Sequence, residues 1–569
     1  MVHLLVDSAV SAASGAVRLL QEATSDLSNS EALGAAYASL AFFFLLAVGL
    51  ASTPAYREGN STFEGLLLAR GTVGWAKVGF SIFAGAMGAW VVYAVPEVGV
   101  LLGPWGVMGY AASLILPFYL VAFLAPRVKR LTPNAFTALD FVRDRYGLFV
   151  YYMLWLAVII YLFIFLVAEY TSAGGVVQAY TGYMLASWKV NLGVAIITSA
   201  YTAYGGLGVS IVTDVVQAGF VIVLVVIGCI AAIAESDASS DAISGSGSAR
   251  WTDSGFEGLV VLVLALFGAT LFDTSVWQRV IAARTQRDVW LGMTFAVGLI
   301  LPVMFLFGFA GIVGSAVYPE DSLAFPYLSF FLLVGGMGKA WKGILVVLAV
   351  SLVCSTADSL QNALTTMVAV ELDRIGGVVT TDPRLNRAFV WLQKHRLWVA
   401  RFAALLIQGP AIGFALGEVD VLRVFLVADL VLAAVVVPVF AGLWDFVTPT
   451  GAVLGMVWGF ASVVWQGMAL RGNLAEGFRQ ISLPAGLYPY SDDYSTTETL
   501  VSFLLALCCS TVACFGASWA ERVYLDGKRS REYLAVLAGD TAGAGGGDGG
   551  GADRTRRPSD VDAKAKEVV

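Results

Sequence analysis

The chain has 569 residues, of which 58% are hydrophobic and only 13% charged, and its mean hydropathy is +0.79. Such usage excludes an ordinary soluble domain, and the formal charge of −7 points to no nucleic-acid partner, because in a membrane protein charge informs through its sidedness and not its sum. The five cysteines, Cys229, Cys354, Cys508, Cys509 and Cys514, all fall in apolar runs without metal-ligand spacing, which reads as reduced packing residues and no disulfide framework.

Runs of about twenty apolar residues, enough to cross roughly 30 Å of hydrocarbon as helices, recur from residue 35 to residue 520 and predict an all-α polytopic membrane protein with about thirteen spans. The first 34 residues lack the pattern of a signal peptide, although LLVDSAVSAASGAVRLL reads as a short amphipathic helix. Span 1 covers 35–53 and is followed by the polar loop PAYREGNSTFEG; spans 2 and 3 cover 73–96 and 104–125. A basic loop, PRVKRLTPNAFTALDFVRDRYG, precedes spans 4 to 6 at 148–178, 190–208 and 211–234, after which ESDASSDAISGSGSARWTDSGFEG is acidic and rich in Ser and Gly. Spans 7 and 8, at 257–276 and 288–316, flank a second basic loop, WQRVIAARTQRD. Span 9 covers 341–372, and a third basic loop carries Arg374, Arg384, Arg387, Lys394 and Arg396. Spans 10 to 13 fill 397–417, 421–443, 451–470 and 498–520.

Counted alternately, the three basic loops fall on one side and the acidic loops on the other, which places the N-terminus outside and the C-terminus in the cytoplasm. The sequon Asn60-Ser61-Thr62 is then cytoplasmic and carries no glycan. The expected division is an extracellular segment 1–34, a first helix 35–53, a core 54–443 made of two five-helix halves at about 73–234 and 257–443, peripheral helices within 444–520, and a disordered cytoplasmic tail 521–569. That tail ends in GAGGGDGGGADRTRRPSD, too Gly-rich and polar to fold alone, and Arg556-Arg557-Pro558-Ser559 has the form of a phosphorylation site.

Chemistry concentrates in LAVSLVCSTADSLQNALTTMVAVEL of span 9. On a helix Ser351, Ser355, Asp358 and Ser359 fall at i, i+4, i+7 and i+8, so four oxygen-bearing side chains line one face. An ionised Asp at the bilayer centre costs about 2.5 to 3.5 kcal/mol on insertion scales, which makes this stripe an ion-site candidate. The plain alternative is that the hydroxyls bond back to the i−4 carbonyl or glue helices together. Two further stretches look like interrupted helices, the form in which transporters build midplane sites. In span 2 AGAMGAW, Ala84 to Trp90, gathers small residues in mid-membrane; in span 7 LFGATLFDTSVW combines Gly268 and Thr270 with Asp273. These spans begin two successive five-span sets with opposite starting sides, as inverted repeats require. Other polar residues at membrane depth are Glu169 with Tyr170, Asp214 after Gly205 and Gly206, and Asp429. Glu169 and Asp429 read equally as structural carboxylates, and Asp214 as a helix N-terminal charge near the interface.

The stretches IFLVAEYTSAG, TAYGGLGVSIVTDVVQAG, WQRVIAA and CSTADSLQNAL, in this order, resemble the sodium:solute symporter family over nearly the whole membrane portion. VVYAVPEVGVLLGPWGVMGY, RLTPNAFTALDFVRDRYG and FDTSVWQRVIAA are most similar to its fungal and plant urea/polyamine branch. The resemblance implies a LeuT-like five-plus-five inverted repeat with Na+ held between spans 2 and 9. Ser355 and Thr356 match the hydroxyl ligands of the family's shared sodium site, completed by carbonyls of Ala84, Met87 and Leu352. Asp358 and Ser359, with Asp214, match a second site found in some members, for sodium or a proton. Family members more often carry a small or hydroxyl residue where Asp358 stands, and Ala86 replaces a carboxylate that proline transporters carry in the break.

The reading is a symporter in which a sodium or proton gradient drives uptake of a small polar solute, urea or a urea/polyamine-like compound, without an organic cofactor. The solute is expected beside the two breaks, near Ala86, Trp90, Thr270 and Asp273, with Glu169 and Tyr170. Alternatives are a channel-like or sensor member of the same fold, or a symporter for an amino acid or sugar. GGMGKA lacks the spacing of a phosphate loop, and the two histidines, His3 and His395, lie far from the membrane carboxylates, so neither an ATP-driven pump nor an enzyme is expected.

Overall fold

The computed structural model describes residues 27–60, 62–181, 184–376, 382–417, 420–484, 486–488 and 495–542. The N-terminal amphipathic segment, Ser61 of the sequon and the Gly-rich tail with Ser559 lie outside these residues. The chain divides into two units, Met1–Ser518 and Trp519–Val569; the described part of the second is the end of one helix.

Among the described residues the regular structure is helical, apart from one isolated parallel bridge between Val73 and Ala283. The principal helices are α1 Asn29–Ala51, α2 Trp75–Ala86, α3 Val91–Leu131, α4 Leu148–Thr181, α5 Met184–Glu235, α6 Asp253–Phe272, α7 Thr274–Ala282, α8 Gln286–Val317, α9 Lys339–Gly376, α10 Arg396–Leu406, α11 Gln408–Ala415, α12 Val421–Phe440, α13 Pro449–Arg471 and α14 Thr496–Ala542. Eleven described stretches are long and apolar enough to cross a membrane. Their outer faces suit lipid, since Leu116, Phe123, Phe149, Leu156 and Ile227 are each more than half exposed.

Two of these stretches are each divided into two helices. At 1.5 Å per residue the 41 residues of α3 would extend about 60 Å, twice a hydrocarbon core. Each is interrupted at a glycine: Gly103 has φ 60, ψ −150 and Gly206 has φ 61, ψ −170, a region open only to glycine. Pro104, which has no amide hydrogen to continue the ladder, follows the first interruption. At the second the Asn60 side-chain amide donates to the Gly205 carbonyl at 2.7 Å, so the sequon asparagine satisfies a carbonyl beside the interruption. Counting both halves of each divided helix, the eleven stretches make thirteen, in keeping with the sequence pattern.

Two boundaries differ from expectation. α1 starts at Asn29, before the apolar run, because Ser28 and Glu31 form a reciprocal capping box. α14 continues to Ala542, so residues 521–542 are helical where a disordered tail was expected; apart from Gly527, the run up to Ala538 is made largely of good helix formers.

Both expected breaks are present. Between α2 and α3, Met87 leaves the helix at φ −92, ψ 82. Between α6 and α7, Asp273 sits at φ −63, ψ 103 and its side chain accepts from the Ser275 amide at 2.8 Å, capping α7. The two broken helices run beside each other where the residues before α2 meet those after α7: the Val73 amide donates to the Ala282 carbonyl at 2.9 Å and the Arg284 amide to the Val73 carbonyl at 3.0 Å.

Candidate functional site

The α2 break frees backbone groups that must find partners inside the protein, and each side of it finds them on another helix. On the carbonyl side, the Ser355 hydroxyl donates to the Ala84 carbonyl at 2.7 Å, Thr356 approaches the Gly85 carbonyl at 3.5 Å, and the Trp90 indole N–H donates to the Ala86 carbonyl at 3.3 Å. On the amide side, Glu169 of α4 accepts from the Ala89 amide at 2.8 Å. Gly88 is where this carboxylate comes closest: a Cβ there would stand 1.7 Å from Glu169 Oε1. The break is therefore a fitted joint between α2, α9 and α4.

Ala84, Met87, Leu352, Ser355 and Thr356 are all fully buried. Ser355 also lies 3.2 Å from the Leu352 carbonyl, so Ala84, Leu352 and Ser355 meet around one hydroxyl, Thr356 stands beside Gly85, and Met87 ends the helix they flank. Ser351 differs from Ser355 by pairing within its own helix, to the Val347 carbonyl at 2.8 Å. The group offers neutral carbonyl and hydroxyl oxygens at the C-terminal, partly negative end of a half-helix, a donor set suited to a hard monovalent cation.

One turn further along α9 the structure adds a residue that the sequence reading placed in a basic loop. Arg279 lies inside α7, 1% exposed. Its guanidinium donates to Asp214 at 3.0 Å, to Ser359 at 2.6 Å, to Ser81 at 2.9 Å and to the Ser275 carbonyl at 3.1 Å. Ser81 in turn donates to Asp214 at 2.5 Å. Asp214 and Ser359 are thus brought together through Arg279. Asp358 accepts from Ser210 at 2.5 Å through one oxygen, while its other oxygen has no hydrogen bond among the described residues. The guanidinium is thus paired with Asp214 alone, while Asp358 lies within its electrostatic reach and beside Tyr201. A charged residue between apolar stretches, as in WQRVIAA, was the signal available; Ser81 and Ser210 gave none, since serine is common in packed membrane helices.

The residues expected near the solute separate into two groups. Ala86, Trp90 and Glu169 meet at the α2 break, and the Trp90 ring lies 5.5 Å from Tyr110 and 5.8 Å from Phe425 of α12. Thr270 and Asp273 lie at the α6 break, where the Thr270 carbonyl accepts from the Asp273 amide at 3.3 Å. Tyr170 points elsewhere: its hydroxyl donates to Gln408 of α11 at 2.6 Å.

With this geometry established, the likeness to known proteins becomes interpretable. A family model described as the sodium:solute symporter family matches residues 66–459, which hold both breaks, α9 and the Arg279 cluster. The spermidine transporter DUR31 of Candida albicans is 25% identical over 470 residues, 80% of this chain and 84% of that relative. The urea active transporter of Saccharomyces cerevisiae is 20% identical over 383 residues, 59% of this chain and 49% of the relative. A solved structure of a Na+-coupled sialic acid symporter, substrate-bound and outward-open, superposes with a TM-score of 0.63 at 16% identity, covering 86% of this chain and 97% of that one. This last likeness shows a shared fold, the LeuT-like five-plus-five repeat. These relatives are transporters, in keeping with a chain that is not an enzyme.

Proposed function

The chain belongs to the sodium:solute symporter family, and from that premise we propose that it is a plasma-membrane secondary active symporter drawing urea or a urea/polyamine-like solute into the cell on the sodium gradient. In this reading the N-terminus is outside, the C-terminus cytoplasmic, residues 54–443 form the transporting core, and α13 and α14 are peripheral.

The observation that carries the reading is the contact of Ser355 with the Ala84 carbonyl across the α2 break. A cation bound there by Ser355, Thr356 and the carbonyls of Ala84, Met87 and Leu352 would join α9 to the broken helix, so that ion occupancy and the helix-break geometry depend on each other. The solute would lie against the same break, at Ala86 and Trp90, with Thr270 and Asp273 on the facing break. Asp358 would be the seat of a second monovalent cation, because the Arg279 guanidinium balances only one of the two nearby carboxylates. Each positive charge moved inward gains about 2.3 kcal/mol per 100 mV, so one or two ions sustain a steep solute gradient.

The test is radiotracer uptake in transporter-deficient yeast with urea, polyamines, proline and sugars, with and without sodium and across pH. Concentrative, sodium-dependent uptake is expected. Uptake that only equilibrates and ignores both gradients would make the protein a channel of this fold.

A further inference from the structure

Away from both helix breaks, a cleft opens between α5, α9 and α10, lined by Ser199 and Thr202 of α5, Gln361, Asn362 and Thr365 of α9, and Arg401 of α10. Among the described residues no carboxylate lines it. Gln361 and Asn362 stand one turn beyond Asp358 on α9, toward the end that leads into the third basic loop. Four polar atoms of the lining are buried without a hydrogen-bond partner among the described residues: Ser199 Oγ, Thr202 Oγ1, Asn362 Nδ2 and Gln361 Oε1. Gln361 commits its amide nitrogen to the Thr198 hydroxyl at 2.9 Å, which leaves the oxygen free. Gln361, Asn362 and Thr202 are only 1%, 5% and 8% exposed. Each unpaired buried group costs about 1 to 3 kcal/mol, so four around one cleft point to an occupant.

Arg401 sets the sign of that occupant. Its guanidinium lies over the Trp398 ring, 5.5 Å from the centroid, and makes no hydrogen bond or ion pair among the described residues. Arg396, at the start of the same helix, is fully engaged, with Asp373 at 3.2 Å, the Gln393 carbonyl at 2.8 Å and the face of Phe63. A guanidinium on a membrane-crossing helix without a counter-charge is costly, and the missing partner is an anion. Arg401 is five residues from the start of α10, about 7.5 Å along its axis, a depth that headgroups reach. Trp398 and Phe402, 70% and 60% exposed, flank it on the side that suits lipid.

We propose that this cleft is a binding site for a phosphomonoester-type oxyanion, held by Arg401 with Ser199, Thr202 and Asn362. The guanidinium fork matches two phosphate oxygens, and the two hydroxyls and the Asn362 amide donate to what remains. Gln361 Oε1, the one acceptor, takes the hydrogen of a phosphate hydroxyl, which such a group with a second pKa of about 6 still carries in part near neutrality. Chloride would leave that oxygen unpaired, and a cation would meet Arg401. Two sources supply this chemistry: the headgroup of an anionic lipid entering past Trp398 and Phe402, and free phosphate. The site is separate from the solute and does not depend on the symport reading. When filled, it would brace α5, α9 and α10 against one another one turn from Asp358.

The experiment uses the purified full-length protein in detergent and measures binding of radiolabelled dioctanoyl phosphatidic acid and of radiolabelled inorganic phosphate, each in competition with chloride and dioctanoylglycerol. Saturable binding of at least one phosphate probe is expected, indifferent to both competitors. Arg401→Met should weaken it about tenfold or more, Thr202→Val severalfold, and Arg401→Lys less than Arg401→Met. Phosphatidic acid that inorganic phosphate does not displace assigns the site to a lipid headgroup, and mutual displacement assigns it to the phosphate group itself. Absence of saturable binding by either probe, displacement by dioctanoylglycerol as strong as by phosphatidic acid, or unchanged affinity in Arg401→Met and Thr202→Val would overturn the inference and leave the cleft to water or acyl chains. Should Arg401→Met fail to fold, Thr202→Val, which keeps the side-chain shape, decides alone: wild-type affinity there overturns the site.

Discussion

Arg279 and Asp214 form an ion pair at 3.0 Å with side chains 1% and 0% exposed, and two of the three remaining hydrogen bonds of that guanidinium go to other helices of the core. It joins α5, through Asp214, to α2 through Ser81, to α9 through Ser359 and to its own helix through Ser275. Removing one member of a buried pair leaves the other charge uncompensated, at about 3 to 5 kcal/mol. Arg279→Met is therefore expected to lower the thermal stability of the purified protein sharply. Arg279→Met combined with Asp214→Asn should recover part of the loss, because the stranded charge is gone. Equal destabilisation by the single and double variants would show that Arg279 acts through packing and not through its charge.

Glu169 illustrates a carboxylate whose first duty is to the backbone. It meets the Ala89 amide freed by the α2 break, and Gly88 leaves room for it. Glu169→Gln keeps an acceptor and should retain fold and transport, whereas Glu169→Ala leaves a buried N–H unsatisfied, at about 1 to 3 kcal/mol. Gly88→Ala drives a methyl group into the carboxylate and should resemble Glu169→Ala. Melting temperatures of the three variants decide it: loss of stability in Glu169→Gln equal to that in Glu169→Ala would assign the role to the negative charge.

The spans and both helix breaks were legible because each has a local signature, twenty apolar residues or a cluster of small ones, whereas the hydroxyl stripe at helical spacing marked Ser355 without naming a partner, and its meeting with the α2 carbonyls was implied only by the family resemblance. Arg279 was misplaced for a related reason. WQRVIAARTQRD mixes one buried arginine with exposed loop residues, and a window average assigns all of them to the loop, whereas only Arg284 and Arg287 follow α7. Tyr170 and Glu169 are neighbours in sequence, yet on a helix adjacent residues point about 100° apart, which sends one to Gln408 and the other to the break. The partners of Asp358 and Asp214, more than 130 residues away for Ser210 and Ser81, depend on how helices cross, which no local pattern encodes.

Gly103 and Gly206 predict a paired result. Each holds a backbone conformation that a side chain rarely adopts, and a Cβ would stand 2.6 Å from the Ser248 carbonyl or 2.5 Å from the Leu66 carbonyl. Gly103→Ala and Gly206→Ala should each cost at least about 1 to 3 kcal/mol through the backbone alone, with the clash added. Reduced surface expression that recovers on lowering the growth temperature is the expected outcome. Gly298→Ala, in a helix where a Cβ meets nothing within 4 Å, is the control and should be neutral.

Ser355 and Thr356 offer the sharpest separation of ion binding from folding. In the structure Ser355 donates to the Ala84 carbonyl at 2.7 Å and shares its proton with the Leu352 carbonyl at 3.2 Å, a net contribution of about 1 kcal/mol that the fold can spare. As cation ligands, the two hydroxyls would supply oxygens that nothing else at the break replaces. Ser355→Ala with Thr356→Ala should therefore leave surface expression and melting temperature nearly unchanged while abolishing sodium-activated uptake. Thr356→Ser, which keeps the oxygen and removes a methyl group, should retain sodium activation with a modest loss of apparent affinity. The measurement is solute uptake against sodium concentration at matched expression. Wild-type sodium activation in the double variant would remove Ser355 and Thr356 from the ion site and leave their contact with α2 as helix packing alone.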